Sequence, residues 1–299
     1  MAISACGSRT DQQGMELVQH GTALFPAACY LDDPVRNPVP WHWHAELEAG
    51  VVTEGSAVIA AGTGRFPLER GTGFFIASGV LHTALAHGQG ECRLHSVVFH
   101  PRLVGGSIDS VFWQNYIQPL LAEDAPKCVL FGPSEPWHRE ALLSIEAAWD
   151  ACAEETPGYD LRMRDALSRL AFLLCRHRPA EGKPLPEKAL RDEGRVKQML
   201  RFIQEHYGQE IGIAAIAKSA AISESECLRC FRATIGVPPT RYLKQFRVQR
   251  AAELLVSTPW SAAEVGAQCG FQDASYFSKT FRQLKGRTPS AYRREHASG

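Results

Sequence analysis

The chain has 299 residues, 45% of them hydrophobic, and 32 Lys+Arg balance 32 Asp+Glu. That length allows two domains with cores of their own, and the charge balance excludes a uniformly basic or acidic binding protein. No run of about 18 apolar residues occurs, which excludes a hydrophobic membrane-spanning helix. The opening MAISACGSRTDQQG lacks the basic and apolar regions of an export signal, so a cytoplasmic protein is expected, its nine cysteines reduced.

Residues 1–14 carry no periodic pattern and are expected to be flexible. From Met15 to about residue 105, short apolar runs alternate with Gly-rich turns, the texture of a β-sandwich or barrel. The sharpest stretch is Trp41-His42-Trp43-His44-Ala45-Glu46-Leu47-Glu48, with Gly55 a strand's length on. In an extended strand His42, His44, Glu46 and Glu48 point to one face. Farther along, GTGFFIASGVLH brings in His82. The two stretches resemble the two motifs of the cupin double-stranded β-helix: His42, His44, Glu48 and Gly55 fit the first, and Gly71, Gly79 and His82 fit the second. Ala77 stands where the second motif has Pro, and Ala86 where it has Asn.

His42, His44, Glu48 and His82 have the donor types and spacing of a metal site for Fe, Mn, Ni or Zn. The same residues, with Glu46, could instead line a polar effector pocket without a metal, or form a satisfied polar cluster. A metal-dependent cupin enzyme is the rival functional class. His87, His95 and His100 lie outside the pattern.

Residues 106–178 read as helical. Asp109–Asp124 forms a short helix interrupted by Pro119, and Trp137–Cys152 and Asp160–His177 form two longer amphipathic ones. In the last, Leu161, Ala166, Leu167, Leu170, Leu173 and Leu174 recur near helical spacing, and this stripe is expected to be a dimer seam. The Pro-rich stretch 179–189 is expected to be a linker.

Beyond the linker the charge changes. From residue 190 to the end there are 17 basic and 10 acidic residues, a net +7, and residues 1–189, with 15 and 22, carry −7. A basic module beside an acidic one suits binding of a polyanion. Seven helices are expected in residues 190–295. The first covers about Arg195–Tyr207 and the second Ile213–Ser219; the third is capped by Ser223 with Glu226 completing a capping box and is stopped by Gly236. The fourth runs from about Thr240 to Ser257, the fifth ends at Cys269, the sixth covers Asp273 to about Leu284, and Thr288-Pro289-Ser290 opens the last.

Helices two and three, and again five and six, form helix-turn-helix units about fifty residues apart, each ending in a Phe-Arg step (Phe231-Arg232, Phe281-Arg282). Such a unit presents its second helix to the DNA major groove. On the first such helix Cys227 and Phe231 face inward, which makes the Cys227/Cys230 pair core, and Ser225, Leu228, Arg229 and Arg232 face out. On the second, Tyr276, Phe277 and Phe281 are expected in the core, and Ala274, Ser275, Ser278, Lys279 and Arg282 outside it.

This region resembles the DNA-binding domain of the AraC/XylS family of bacterial transcription regulators. The residues that carry the resemblance include Ser223, Arg229, Phe231, Gly236, Pro239, Tyr242 and Leu243 in the first half, and Gly270, Phe271, Phe277, Phe281, Gly286, Pro289 and Tyr292 in the second. The resemblance implies a multi-domain α+β protein with a cupin double-stranded β-helix, helices, and an all-α domain of about seven helices. It implies a promoter-binding regulator, more an activator than a repressor, acting as a homodimer in the cytoplasm on nucleoid DNA with RNA polymerase as a partner. No cofactor is required by it, and its effector would be a sugar or small metabolite. Ser225, Leu228 and Arg229 hold the positions from which the family reads DNA, and Arg229 is the residue suited to pair with guanine or clamp a phosphate.

Overall fold

The structure, a computed structural model, describes residues 20–36, 39–88, 90–178 and 187–296. The expected flexible segment 1–14 and residues 179–186 of the expected linker lie outside these. The described residues fall into two compact units that part between Leu190 and Arg191.

The first unit holds eight strands: β1 Ala27–Asp32, β2 Leu47–Glu54, β3 Ser56–Ala61, β4 Gly64–Glu69, β5 Gly73–Ile76, β6 His82–Ala86, β7 Arg93–Phe99 and β8 Cys128–Phe131. They form two antiparallel sheets, one in the order β1-β7-β2-β5-β8 and one in the order β4-β3-β6. The apolar runs expected to be short strands are strands, and β2 and β5 are buried along nearly their whole length. Such strands need cover on both faces.

That cover comes from residues 106–178, whose elements belong to the same core. After a short α1 (Arg102–Gly105), a π-helical turn at Trp113–Ile117 runs into α2 (Gln118–Leu121), followed by α3 (Pro136–Glu154) and α4 (Tyr159–Arg176). β8, which lies within the region expected to be helical, pairs instead with β5 and extends the larger sheet. The stripe expected as a dimer seam packs on its own domain: Ala166, Leu167, Leu170, Leu173 and Leu174 are buried in one cluster with Ile145 of α3 and Phe99 and Phe131 of the sheet. Burying each such Leu stabilises the fold by about 1.5–3 kcal/mol, so the stripe is committed before any partner arrives. Only Leu161 of that stripe is left out, at 68% exposure.

The second unit is all-helical: α5 Glu187–His206, α6 Ile213–Ser219, α7 Glu224–Ile235, α8 Pro239–Ser257, α9 Ala262–Gln268, α10 Ala274–Lys285 and α11 Pro289–His296. α5 starts earlier than expected, because Glu187-Lys188-Ala189-Leu190-Arg191 are good helix formers behind a proline. α7 and α10 end on Gly236 and Gly286, both left-handed. The Ser223 hydroxyl accepts from the Glu226 amide, while the Glu226 carboxylate reaches Arg195 and Arg229. A complete capping box is built instead by Ser261 and Glu264 on α9.

α8 serves both halves of this unit. Near its start Tyr242 packs edge-on against Phe231, and farther along Val248, Ala251, Ala252 and Leu255 join Val265, Phe271, Phe277 and Phe281 in the second half's core. Arg247 donates to the carbonyls of Tyr207 and Gln209 beyond α5, at 2.7 and 2.6 Å. Every described cysteine is a free thiol: Cys29, Cys92, Cys128, Cys152 and Cys175 in the first unit, and Cys227, Cys230 and Cys269 in the second.

Candidate functional site

The first unit encloses a cluster of four polar side chains. His42 and His82 form an isolated bridge, each accepting the other's amide at 3.0–3.1 Å, which brings their rings to 4.2 Å between centroids. His44 follows two residues later, and Glu48 projects from the start of β2. The Glu48 Oε2 lies 2.9 Å from His82 Nε2 and 3.2 Å from His44 Nε2. One ligand atom from each of His42, His44, Glu48 and His82 falls within 4.8 Å of all the others, and all four residues are buried.

The other ring nitrogens explain this convergence. Nδ1 of His42 meets the Pro40 carbonyl at 2.8 Å, that of His44 the Glu46 carbonyl at 3.2 Å, and that of His82 the Val80 carbonyl at 2.8 Å. A carbonyl only accepts, so each Nδ1 carries the proton, and in a neutral ring Nε2 is an acceptor turned into the cluster. Two such acceptors beside a carboxylate repel unless positive charge lies between them, either as protons on the rings or as a shared cation. Main-chain partners behind each ring are also what orients histidine ligands around a metal. Burial alone would push the Glu48 carboxyl up, but His82 and His44 outweigh it and hold it well below the usual carboxylate range.

Glu46 does not join the cluster. β2 begins only at Leu47, so the alternation assumed for residues 42–48 is interrupted. The Glu46 carboxylate lies 3.8 Å from Nδ1 of His44, on the far side of that ring. Sequence reasoning also missed four wall residues. His20 packs against His44 at 5.2 Å and meets the Tyr30 hydroxyl through Nδ1 at 2.8 Å, and Ser96 donates to Asp32 at 2.8 Å. Tyr30 and Asp32 alternate on β1, a pattern visible in CYLDD; His20 lies in a segment with no pattern at all. The cavity these walls enclose measures about 20 Å³, room for roughly one water and far below the ~300 Å³ at which small-molecule pockets begin.

In the second unit the expected outward residues of α7 and α10 are mostly outward. Ser225, Arg232, Ala274, Ser275, Lys279 and Arg282 are exposed, and Leu228 and Ser278 are half-buried. Ser278, Lys279 and Arg282 share one surface hollow with Gln283 and Thr288. One expectation needs correction. Tyr276, expected in the core, is 47% exposed, because Phe271, Phe277 and Phe281 already fill the space; its ring lies under Lys244 of α8 at 5.6 Å. Arg229 faces outward as expected and is also paired within its own domain. It donates to Glu226 from Nε at 2.9 Å and from Nη2 at 2.7 Å, and to Asp192 of α5 from Nη2 at 2.9 Å.

A family model described as a helix-turn-helix domain matches residues 216–295, and one described as an AraC-like ligand binding domain matches residues 26–171. The chain belongs to the AraC family of transcription regulators. It is 28% identical over 290 residues to the HTH-type transcriptional regulator YdeC of Bacillus subtilis, covering 95% of this chain and 97% of that one. It is 29% identical over 144 residues to the transcriptional activator RhaS of Klebsiella pneumoniae, covering 48% and 50%. Among solved structures, the DNA-binding domain of AdpA in complex with a target DNA is 29% identical, covering 33% of this chain and 90% of that one, with a TM-score of 0.33. The regulator thus joins an N-terminal ligand-binding domain to a helix-turn-helix domain that binds DNA, and these relatives are named as regulators rather than enzymes. Among the described residues, no helix is long and apolar enough to cross a membrane.

Proposed function

We propose that this regulator binds promoter DNA through α7 and α10 in the cytoplasm, and that a divalent transition-metal ion held by His42, His44, Glu48 and His82 sets its ligand-binding domain. The supporting observation is the convergence of one ring nitrogen from each of three histidines with one carboxylate oxygen, each imidazole oriented by a main-chain carbonyl. Imidazole and carboxylate donors fit Zn, Ni, Mn or Fe. A bound cation would supply the positive charge that this donor set calls for, and the four residues would tie β2 and β6 to the 39–44 segment. An organic effector is the second reading, favoured by Tyr30, Asp32, Thr83 and Ser96 in the walls; a sugar-sized one would need the cavity to open.

The test is metal titration of the full chain after chelation, read by stoichiometry and thermal melting. Near-equimolar binding of one of these metals, with a higher Tm and loss in both His44→Ala and His82→Ala, is the expected result. Folded protein that takes up none of them would leave the pocket to an organic effector.

The regulator acts as a homodimer in this reading, through a face other than the buried stripe. On α4, Leu161, Asp165, Ser168 and Phe172 follow i, i+4, i+7, i+11 spacing on the outer surface and border one hollow with Phe112 and Tyr116. Arg164 lines the same hollow, so opposite charges sit side by side, as a self-complementary twofold contact needs. Leu161→Glu should shift sedimentation from dimer to monomer; an unchanged dimer would put the interface elsewhere. Contact with RNA polymerase would follow promoter binding.

A further inference from the structure

Four charged side chains join the first recognition helix to the helix by which the chain enters the DNA-binding domain. Asp192 and Arg195 come from α5, Glu226 and Arg229 from α7. Each guanidinium touches both carboxylates: Arg229 through the contacts given above, and Arg195 Nη1 at 3.3 Å from Asp192 and 3.2 Å from Glu226. The ring is closed, neutral and partly sheltered, with the Asp192 side chain only 12% exposed. Arg229 gives its Nε and Nη2 to these carboxylates, with its side chain 41% exposed.

Reading guanine or gripping a phosphate in a fork takes two donors of one guanidinium edge. Both forks of the Arg229 guanidinium include Nη2, which already donates to Glu226 and Asp192, and the neutral ring offers a phosphate no net positive charge. We infer that Asp192 and Glu226 withhold Arg229 from DNA, making Asp192 a positioning residue that sets how far the first helix-turn-helix unit reads sequence. Its place on α5, six residues into the first helix after residues 179–186, puts this control where the ligand-binding domain's chain arrives. A shift of α5 that draws Asp192 away would hand Arg229 to the groove.

The inference rests on the proposed placement of α7 at DNA, and one experiment separates the two. The probe is a 40-base-pair duplex, a length chosen to exceed about two 10-base-pair turns, selected by the wild-type full chain from a random library. Arg232→Ala should weaken binding to it if α7 lies at DNA; an unchanged affinity would remove α7 and this inference together. Given that loss, the double variant Asp192→Asn/Glu226→Gln keeps side-chain size while removing both negative charges. It should bind the duplex about tenfold tighter, with a salt slope steeper by about one if Arg229 engages a phosphate. Selection repeated with that variant should add a guanine preference at one position under α7 if Arg229 reads a base. In an Arg229→Ala background the same two substitutions should gain no more than about twofold, because only general charge removal then acts. A gain that persists without Arg229, or no gain in a variant whose melting is unchanged, overturns the inference. If the double variant melts early, Asp192→Asn alone is judged by the same comparison.

Discussion

The two helix-turn-helix units share a backbone plan and differ in what they do with charge. In the first, Arg229 is exposed but ion-paired with Asp192 and Glu226, and Arg232 is exposed beside it. In the second, Lys279 and Arg282 are exposed on α10, and Lys244 stands over Tyr276 beside them. Helix-turn-helix geometry therefore fixes where a recognition helix lies, and a few acidic neighbours decide whether its cations are available. Most of the electrostatic attraction to DNA is expected from the second unit, with finer adjustment in the first.

Removing charge breaks the comparison most strongly. Lys279→Ala with Arg282→Ala should weaken binding to any duplex by about ten- to a hundredfold and lower the salt slope by about two. Arg232→Ala should cost one charge's share. Equal losses from the two units in a salt titration would show that both carry the same electrostatic load.

The turns sharpen the comparison on a smaller scale. Where the second unit uses Gly270, at φ +80°, the first has Ala221 at φ 53°. A Cβ on Gly270 would lie 2.5 Å from the Tyr207 carbonyl oxygen, so Gly270→Ala should destabilise the domain by about 2 kcal/mol in denaturant unfolding. Ala221→Gly relieves a left-handed alanine and, after the added freedom of the unfolded chain, should gain about 0.5 kcal/mol. A loss there would mean that the Ala221 methyl makes packing contacts worth more than the strain.

How much was legible follows the range of each interaction. Ser223, Gly236, Pro239 and Gly286 act on their own turn of chain, so the helices after α5 are legible almost to the residue, while α5 begins eight residues before Arg195. The spacing of His42, His44, Glu48 and His82 likewise survived, because two strand pairings bring them together. Glu46 was misplaced because the alternation rule holds only while a strand is unbroken. The Leu167–Leu174 stripe is legible as apolar, but periodicity says that a face must be covered and not by what; here α3 does so, with α1, α2 and the π-helical turn. Arg229 has the right type and spacing for a DNA reader, and what restrains it, Asp192, is 37 residues away in sequence. His20 reaches His44 from a segment with no motif to announce it.

The buried thiols add a property of another kind. Burial pushes Cys269 up to about 12 and Cys227 to about 11 and also raises the buried Cys92, so at neutral pH these sulfurs are protonated and shielded from an alkylating reagent. Each reacts only when its surroundings open. Because Cys92 belongs to the ligand-binding unit, Cys227 to the first DNA-reading unit and Cys269 to the second, their alkylation rates form separate clocks of local opening. The native chain carries its own set of probes for which part loosens first.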